Sequence, residues 1–396
     1  MNTARHVLAI CFTNFGPYHH ARLEALGTSL KSVGGELIAY ELAGSEAKYP
    51  WESIDTGAEP PYRHVRLFPN RTVESLNASE CRRAMRSRLD LDQPTAIGAV
   101  GYVRPESLEM ARWARANRAI RILLSESQRI DHPRRWWKEA IKSRRVAQFQ
   151  AGVVGGPSHR DYLVDLGMPA SQIHLGYNAV GNSSIEVMAD AARTTEAPIP
   201  GPYFLSVCRF ATEKNLHMLI KAYAAYVQRC HAEPWPLVLV GDGPLRQELQ
   251  DAVAAEGIAG HCHWPGFLPI RETVRWYVHA GTFVLPSVSE PWGLVINEAA
   301  LCGIPLLISN RCGAAGTFVP KTGIPTGHVF DPEDVDSLTD DLERMACLSP
   351  VSRKVLGESA RSIAREWGPE RFAQGMLEAL ETAANQSSHV HRVTDS

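Results

Sequence analysis

The 396-residue sequence predicts an α/β protein made of two doubly wound domains in tandem. Three observations carry that prediction. The chain is longer than one hydrophobic core fills, so two units of roughly 180 residues are the natural division. Short apolar runs alternate with helical stretches, the pattern of a parallel sheet covered on both faces. The alternation runs twice, broken once near residues 181–200.

The first strand is expected at His6-Val-Leu-Ala-Ile-Cys-Phe12, ending in a Gly16-Pro17 turn. A helix follows, with Ala21, Leu23, Leu26 and Leu30 among its apolar positions. Further strand-like runs lie at 36–40, 96–100, 121–124 and 151–154, with a helical pattern at 107–115. Residues 1–180 are therefore assigned to an N-terminal domain. Residues 181–200 are rich in Ser, Ala, Thr and Pro, close on Ala197-Pro-Ile-Pro-Gly201, and are expected to be a linker. The alternation restarts in 201–366: strand 203–207, helix 216–227, strand 237–240 into Gly241-Asp-Gly243, helix 247–256, helix 271–278 and strand 281–285. After a break, Trp367-Gly-Pro-Glu-Arg-Phe372 starts a last helix in 367–396, expected to return toward the N-terminal domain and to fray after Gln386. Ligands of open α/β sheets bind outside the carboxyl ends of the strands, so two such domains would face a central cleft.

Bulk properties exclude several classes. With 44% hydrophobic and 21% charged residues and a net charge of −2, the chain is not a general nucleic-acid binder. No apolar run approaches the ~20 residues that span a bilayer, and no secretory leader is recognised, so a cytoplasmic protein is expected. The eight cysteines are scattered without a Cys-x-x-Cys pair and read as small buried hydrophobes in a reducing compartment.

The chemistry concentrates in Ser289-Glu-Pro-Trp-Gly-Leu-Val-Ile-Asn-Glu298, between apolar runs at 281–285 and 304–308. Pro291 and Gly293 suit a helix start that faces a ligand. The free amides and the dipole of such a tip favour an anion such as a diphosphate. Glu290 precedes the tip and Glu298 lies about one and a half turns inside the helix, so the two can accept hydrogen bonds from hydroxyls of two different sugars. A surface glutamate and a salt-bridged helix glutamate would give the same pattern. Arg209 and Lys214 follow strand 203–207 and can neutralise a diphosphate without a metal. Ordinary loop charges pairing with Glu213 are the alternative.

Together these residues resemble a retaining glycosyltransferase of family 4, with the GT-B arrangement of two Rossmann-like domains. The resemblance rests on Arg209 with Lys214, Leu239-Val-Gly-Asp-Gly-Pro-Leu245, Pro265-Gly-Phe267, the Glu-x7-Glu of Glu290 and Glu298, and Trp367 with Phe372. It covers nearly all of 201–372, and Val153-Val-Gly-Gly-Pro157 through Leu175-Gly-Tyr-Asn178 extends it into the N-terminal domain. It implies that Arg209, Lys214 and the backbone of Gly293, Leu294 and Val295 hold the diphosphate of a nucleotide-sugar, uridine-linked donor. Glu290 would bind the transferred sugar, Glu298 the ribose, Gly266 and Phe267 the base, and Gly16 would close over the phosphates. The implied reaction keeps the anomeric configuration, with a leaving phosphate oxygen taking the proton of an acceptor hydroxyl. It uses no cofactor and no metal. The acceptor class stays open among glycans, lipids and small metabolites.

One departure concerns the histidine that many members carry after the fourth or fifth N-domain strand. Here that strand runs into Ser125-Glu-Ser-Gln128, so Glu126 or the later His132 are candidates for the sugar or acceptor, as are His19 and His20. The plainer reading of each histidine is an exposed loop or helix-start residue. Asp90-Leu-Asp92 spells a metal-binding Asp-x-Asp but reads as a chance match in a polar loop. Gly241-Asp-Gly243 lacks the third glycine of a dinucleotide turn, position 246 being Arg. Between Arg104 and Arg145 twelve cationic residues face five acidic ones. The Trp136-Trp137 helix within that span suits either weak contact with an anionic membrane or a partly packed helix with Trp137, Ile141 and Val146 turned inward. Two other functions fit the architecture: a nucleotide-sugar epimerase, which needs acid and base groups the sequence does not place, and a non-catalytic sugar-nucleotide binder.

Overall fold

A computed structural model describes residues 6–46, 59–131 and 133–394, with side chains through residue 386. The chain divides into two units, Met1–Gly181 with Gly368–Ser396, and Asn182–Trp367.

Unit one contains β1 (Val7–Phe12), α1 (Pro17–Ser32), β2 (Glu36–Ser45), β3 (Arg63–Thr72), α2 (Ala78–Asp92), β4 (Ala96–Val100), α3 (Pro105–Ala116), β5 (Ile120–Ser125), α4 (Trp136–Val146), β6 (Ala151–Val154), α5 (Pro157–Asp165) and β7 (Ile173–Leu175). The strands are parallel in the order β3-β2-β1-β4-β5-β6-β7. β1, β4, β5 and β6 are almost wholly buried, as strands covered on both faces must be. β3 is the exception. Its polar Arg63-His-Val-Arg-Leu-Phe-Pro-Asn-Arg-Thr72 sits at the sheet edge, where charge and a proline block further pairing.

Unit two contains α6 (Asn182–Arg193), β8 (Phe204–Val207), α7 (Leu216–Arg229), β9 (Leu237–Val240), α8 (Arg246–Ala255), β10 (Cys262–Gly266), α9 (Ile270–His279), β11 (Thr282–Leu285), α10 (Leu294–Leu301), β12 (Leu306–Ser309), α11 (Ala315–Phe318), β13 (Gly327–Phe330), α12 (Val335–Cys347) and α13 (Pro350–Glu366). Its parallel sheet runs β10-β9-β8-β11-β12-β13. Numbered within its own unit, the second sheet has the order 3-2-1-4-5-6 of a Rossmann-like doubly wound domain, and the first has the same order with β7 added as a seventh strand beside β6. The order reverses between β1 and β4 in unit one and between β8 and β11 in unit two.

Three expectations need correction. The stretch 181–200 is not a plain linker, because most of it is α6. Its small residues conceal an apolar stripe, Ile185, Ala189 and Ala192, spaced as one helical face. Glu186 pairs with Arg361 and Arg365 of α13, and Asn182 donates to the Ala364 carbonyl at 2.8 Å, which ties α6 to unit two. Asp90 and Asp92 lie in the last turn of α2 rather than in a loop. Asp90 accepts from the Trp113 indole at 2.6 Å, and Asp92 from the Tyr40 hydroxyl at 2.8 Å and from Arg88 and Arg63. The helix of Trp136 and Trp137, α4, buries only Val146, while Trp137 and Ile141 are exposed.

The last helix, α14 (Pro369–Thr394), lies on unit one. Phe372, Met376, Ala379, Leu380 and Ala383 repeat every three or four residues and bury against Leu8, Ile10, Leu23 and Leu26.

Candidate functional site

Unit two brings its charged residues together at its own switch point. β8 is followed by a loop through Arg209 and a 3-10 turn at Thr212–Lys214, and β11 by the loop 286–293. The Val288 amide donates to the Glu213 carbonyl at 3.0 Å, which fastens the two loops to each other. On the other side, Gly313 and Ala314 after β12 donate to the carbonyls of Glu290 and Trp292. The segment 288–292 is thus held by its backbone from both sides. The Trp292 indole donates to Asn297 at 2.8 Å and stacks on Trp367.

Lys214 and Glu290 form a direct ion pair with side chains 17% and 11% exposed, and the Ser287 hydroxyl stands 3.4 Å from the same carboxylate oxygen. Burial disfavours the Lys214 ammonium, but the Glu290 carboxylate outweighs it and holds the lysine pKa above its ordinary value. Arg209 sits on the same loop, about half exposed, with Glu213 at 4.0 Å. Glu213 therefore approaches Arg209, whereas Lys214 turns to Glu290.

Gly293 caps α10 in the left-handed conformation, φ 95°. A Cβ there would stand 3.0 Å from Ile296 and 3.2 Å from Glu290. Leu294 and Val295 begin the helix, and the first amides of a helix have no partner within it. Both residues are half-buried, and the start of a helix is where an anion is favoured. Glu298, one turn further on, is buried and accepts from the Tyr277 hydroxyl at 3.0 Å. Burial disfavours the thiolate form of the neighbouring cysteines. Burial pushes Cys208 up to about 12, and Cys312 rises well above its ordinary value for the same reason.

Gly241-Asp-Gly243 serves the Arg209 loop. A Cβ on Gly241 would fall 1.9 Å from the Cys208 carbonyl oxygen, and one on Gly243 2.5 Å from that of Phe210. The Phe210 amide donates to the Asp242 carbonyl at 2.8 Å. Gly241 in turn donates to the carbonyl of Gly266, the last residue of β10. Phe267 follows with 76% of its surface exposed, at the carboxyl edge of the same sheet.

In unit one, Gly16 precedes α1. Its amide donates to the His19 Nδ1 at 3.0 Å, and its carbonyl accepts from the amides of His19 and His20. His19 therefore closes the helix start. Burial, then the Arg22 guanidinium and the neighbouring His20 ring, hold its pKa well below the ordinary histidine value, so it is neutral. The sequence signal was available: Gly156-Pro-Ser-His159 repeats Gly16-Pro-Tyr-His19, and Gly156 donates to the His159 Nδ1 in the same way. His20 meets the Tyr62 hydroxyl at 2.9 Å. Glu126, just past β5, accepts from Asn178 at 2.5 Å. His132 lies outside the described residues. Glu41 was not anticipated. It accepts from the Phe15 amide, Asn14, His64 and Arg66, and so anchors the loop that carries Gly16. Tyr277 was missed likewise. Among the described residues, no group of three His, Cys, Asp or Glu side chains is arranged to hold a metal ion.

Residues 191–363 match the family model described as Glycosyl transferases group 1. O-antigen chain mannosyltransferase B of Escherichia coli is 30% identical over 138 residues, 35% of this chain and 35% of that protein. The curated relatives are matched over 29% to 50% of their own length. Among solved structures, sucrose-phosphate synthase from Thermosynechococcus elongatus superposes with a TM-score of 0.72 at 18% identity, covering 95% of this chain and 98% of that one. Anabaena HepE in complex with UDP and glucose superposes with a TM-score of 0.66 at 13% identity, covering 96% and 100%. The fold class is that of these GT-B neighbours.

Proposed function

We propose that the chain is a retaining glycosyltransferase of family 4 that moves a sugar from a nucleotide-sugar donor to an acceptor hydroxyl, without metal or cofactor. One observation carries the reading: Lys214 and Glu290, from two loops that flank the reversal of strand order, meet beside the first turn of α10. Ligands of doubly wound sheets bind at that reversal. The match of residues 191–363 to group 1 glycosyl transferases covers the same elements.

In this reading Lys214, Arg209 and the amides of Gly293, Leu294 and Val295 compensate the diphosphate. Glu290 is the counter-ion of Lys214 until the donor arrives. The diphosphate then takes over the lysine, and the carboxylate turns to the hydroxyls of the transferred sugar. Glu298, oriented by Tyr277, binds the ribose, and Gly266 with the exposed Phe267 receives the base. Uridine is the proposed base, the nucleotide that the Anabaena neighbour holds. The bond from the anomeric carbon to the phosphate oxygen breaks as the acceptor oxygen attacks from the same face. The departing phosphate oxygen takes the acceptor proton, so the product keeps its anomeric configuration. Catalysis then rests on positioning and fixed charge. Unit one supplies the acceptor contacts, with Glu126 and His20 as candidates and a glycan, glycolipid or glycosylated metabolite as product.

The test is release of nucleotide from a panel of UDP-, GDP- and ADP-sugars, with and without EDTA, followed by NMR of the product anomer. UDP release unaffected by EDTA, with retained configuration, supports the proposal. Strict dependence on a divalent metal, an inverted anomer, or interconversion of sugars without transfer overturns it.

A further inference from the structure

Unit one presents a surface that this chemistry leaves unused. Residues 134–146 hold six cationic side chains and one acidic one, in a chain whose overall net charge is −2. The polar inner face of α4 fixes its orientation. Glu139 accepts from the Tyr162 hydroxyl at 2.7 Å and from Lys142 at 2.9 Å, and Arg134 reaches the same hydroxyl at 2.7 Å. Arg145 reaches the Tyr102 carbonyl, and Val146 is buried. With the polar groups engaged inward, the apolar ones point out. Trp136 is 84% exposed, Trp137 44% and Ile141 41%. Lys138 lies over the Trp137 ring, and among the described residues Arg135 and Arg144 form no ion pair.

We propose that this outer face of α4 docks the protein on an anionic lipid bilayer. Exposed tryptophans interleaved with free cations match the boundary between headgroups and acyl chains, where an indole buries its ring and keeps its N–H wet. The surplus positive charge complements anionic headgroups and adds affinity with each cation near the surface. Among the described residues no helix is long and apolar enough to cross a membrane, so the contact is peripheral. A second copy is a poor occupant, because a two-fold contact would oppose two faces of the same strong positive charge. The proposal does not depend on the transferase reading.

The full chain is floated with vesicles of phosphatidylcholine alone and of phosphatidylcholine with phosphatidylglycerol, at low and high salt. Binding to the anionic vesicles only, weakened by salt, is expected. The variant Arg135→Glu/Lys138→Glu/Arg144→Glu should lose ~100-fold in partition, and Trp136→Ala/Trp137→Ala at least ~10-fold. Circular dichroism, melting and nucleotide release in solution should be unchanged, since every substituted side chain is exposed. Absence of binding, equal binding to both vesicle types, or wild-type binding by the charge variant overturns the proposal. So does a concentration-dependent dimer, or binding of double-stranded DNA, that the same variants abolish while vesicle binding persists.

Discussion

Removing one member of the Lys214–Glu290 pair tests fold and chemistry at once, and the structure says how to separate them. Both side chains are less than one-fifth exposed, so solvent screens neither charge well. Glu290→Ala leaves a buried ammonium without its partner. Broken buried pairs cost about 3–5 kcal/mol, and the residual solvent access here puts the loss near 3 kcal/mol. For a domain of this size that lowers Tm by about 6–12 °C. Lys214→Met should cost a similar amount, because it strands the carboxylate. Glu290→Gln/Lys214→Met has no orphaned charge and should melt within about 1 kcal/mol of wild type, since a buried pair replaced as a unit is often neutral. Activity should follow a different order. Lys214→Met and the double variant lose a cation at the diphosphate, and Glu290→Ala loses the carboxylate for the transferred sugar; each is worth at least ~100-fold in turnover, and the double variant should recover nothing. The assays are urea or thermal unfolding and nucleotide release from the accepted donor. A double variant with restored turnover would show that the pair is only a structural bridge. A Glu290→Ala protein as stable as wild type would show that the ammonium is solvated.

Three further predictions concern backbone and titration. Gly293→Ala forces a side chain into φ 95° against Ile296 and Glu290; it should cost about 1–2 kcal/mol and raise KM for the donor more than tenfold, read by unfolding and steady-state kinetics. Burial raises the Glu41 pKa, but the hydrogen bonds from His64, the Phe15 amide and Arg66 outweigh it and leave it below the ordinary 4.5. Its contribution is therefore complete above pH 4.5 and is lost as pH falls through the lower folded value, so the Tm advantage of wild type over Glu41→Gln should vanish in that acid window. His19, held neutral, has a folded pKa below its unfolded one, so its cap is fully effective above pH 6.5 and weakens below it. His19→Ala should lower stability by about 1 kcal/mol at pH 7.5, and equal stability of the two proteins there would remove the capping role.

How much the sequence reveals depends on whether a feature is local. Buried parallel strands such as Val7–Phe12 and Leu306–Ser309 are continuous apolar runs, legible because both faces need cover. β3 was invisible because an edge strand has the composition of a loop. α6 was hidden by alanine and serine, whose apolar stripe is weak until a neighbouring helix defines which face is inside. The site divides the same way. Glu290, Gly293 and Glu298 lie on one stretch and announce themselves by spacing. Tyr277 lies 21 residues from Glu298, and Glu41 26 from Phe15; only the folded sheet brings them together. α4 failed in another manner. Tryptophans are expected inside, and nothing in the local sequence shows that Glu139, Lys142 and Tyr162 already fill the inner face with hydrogen bonds.

The Gly-Asp-Gly turn gives the sharpest test of how the loop carrying Arg209 and Lys214 is positioned. Gly241 has φ 135° and no room for a Cβ, which would overlap the Cys208 carbonyl at 1.9 Å. Gly241→Ala must therefore displace the 208–210 segment, whose Phe210 amide donates to Asp242 and whose carbonyl accepts from the Leu245 amide just beyond the turn. The strain exceeds about 1–3 kcal/mol, and relief comes most easily from the loop because β9 is buried between β8 and β10. Arg209 moves with that loop, and Lys214 lies five residues further along. The variant should lose donor affinity out of proportion to its stability: KM for the nucleotide sugar should rise at least ~10-fold while Tm falls by no more than about 12 °C. Gly257→Ala is the control, with φ 70° and open space around the added carbon, so it places a side chain at positive φ without the clash. If Gly241→Ala and Gly257→Ala change KM equally, the turn does not position the cations, and the loop holds its shape by other means.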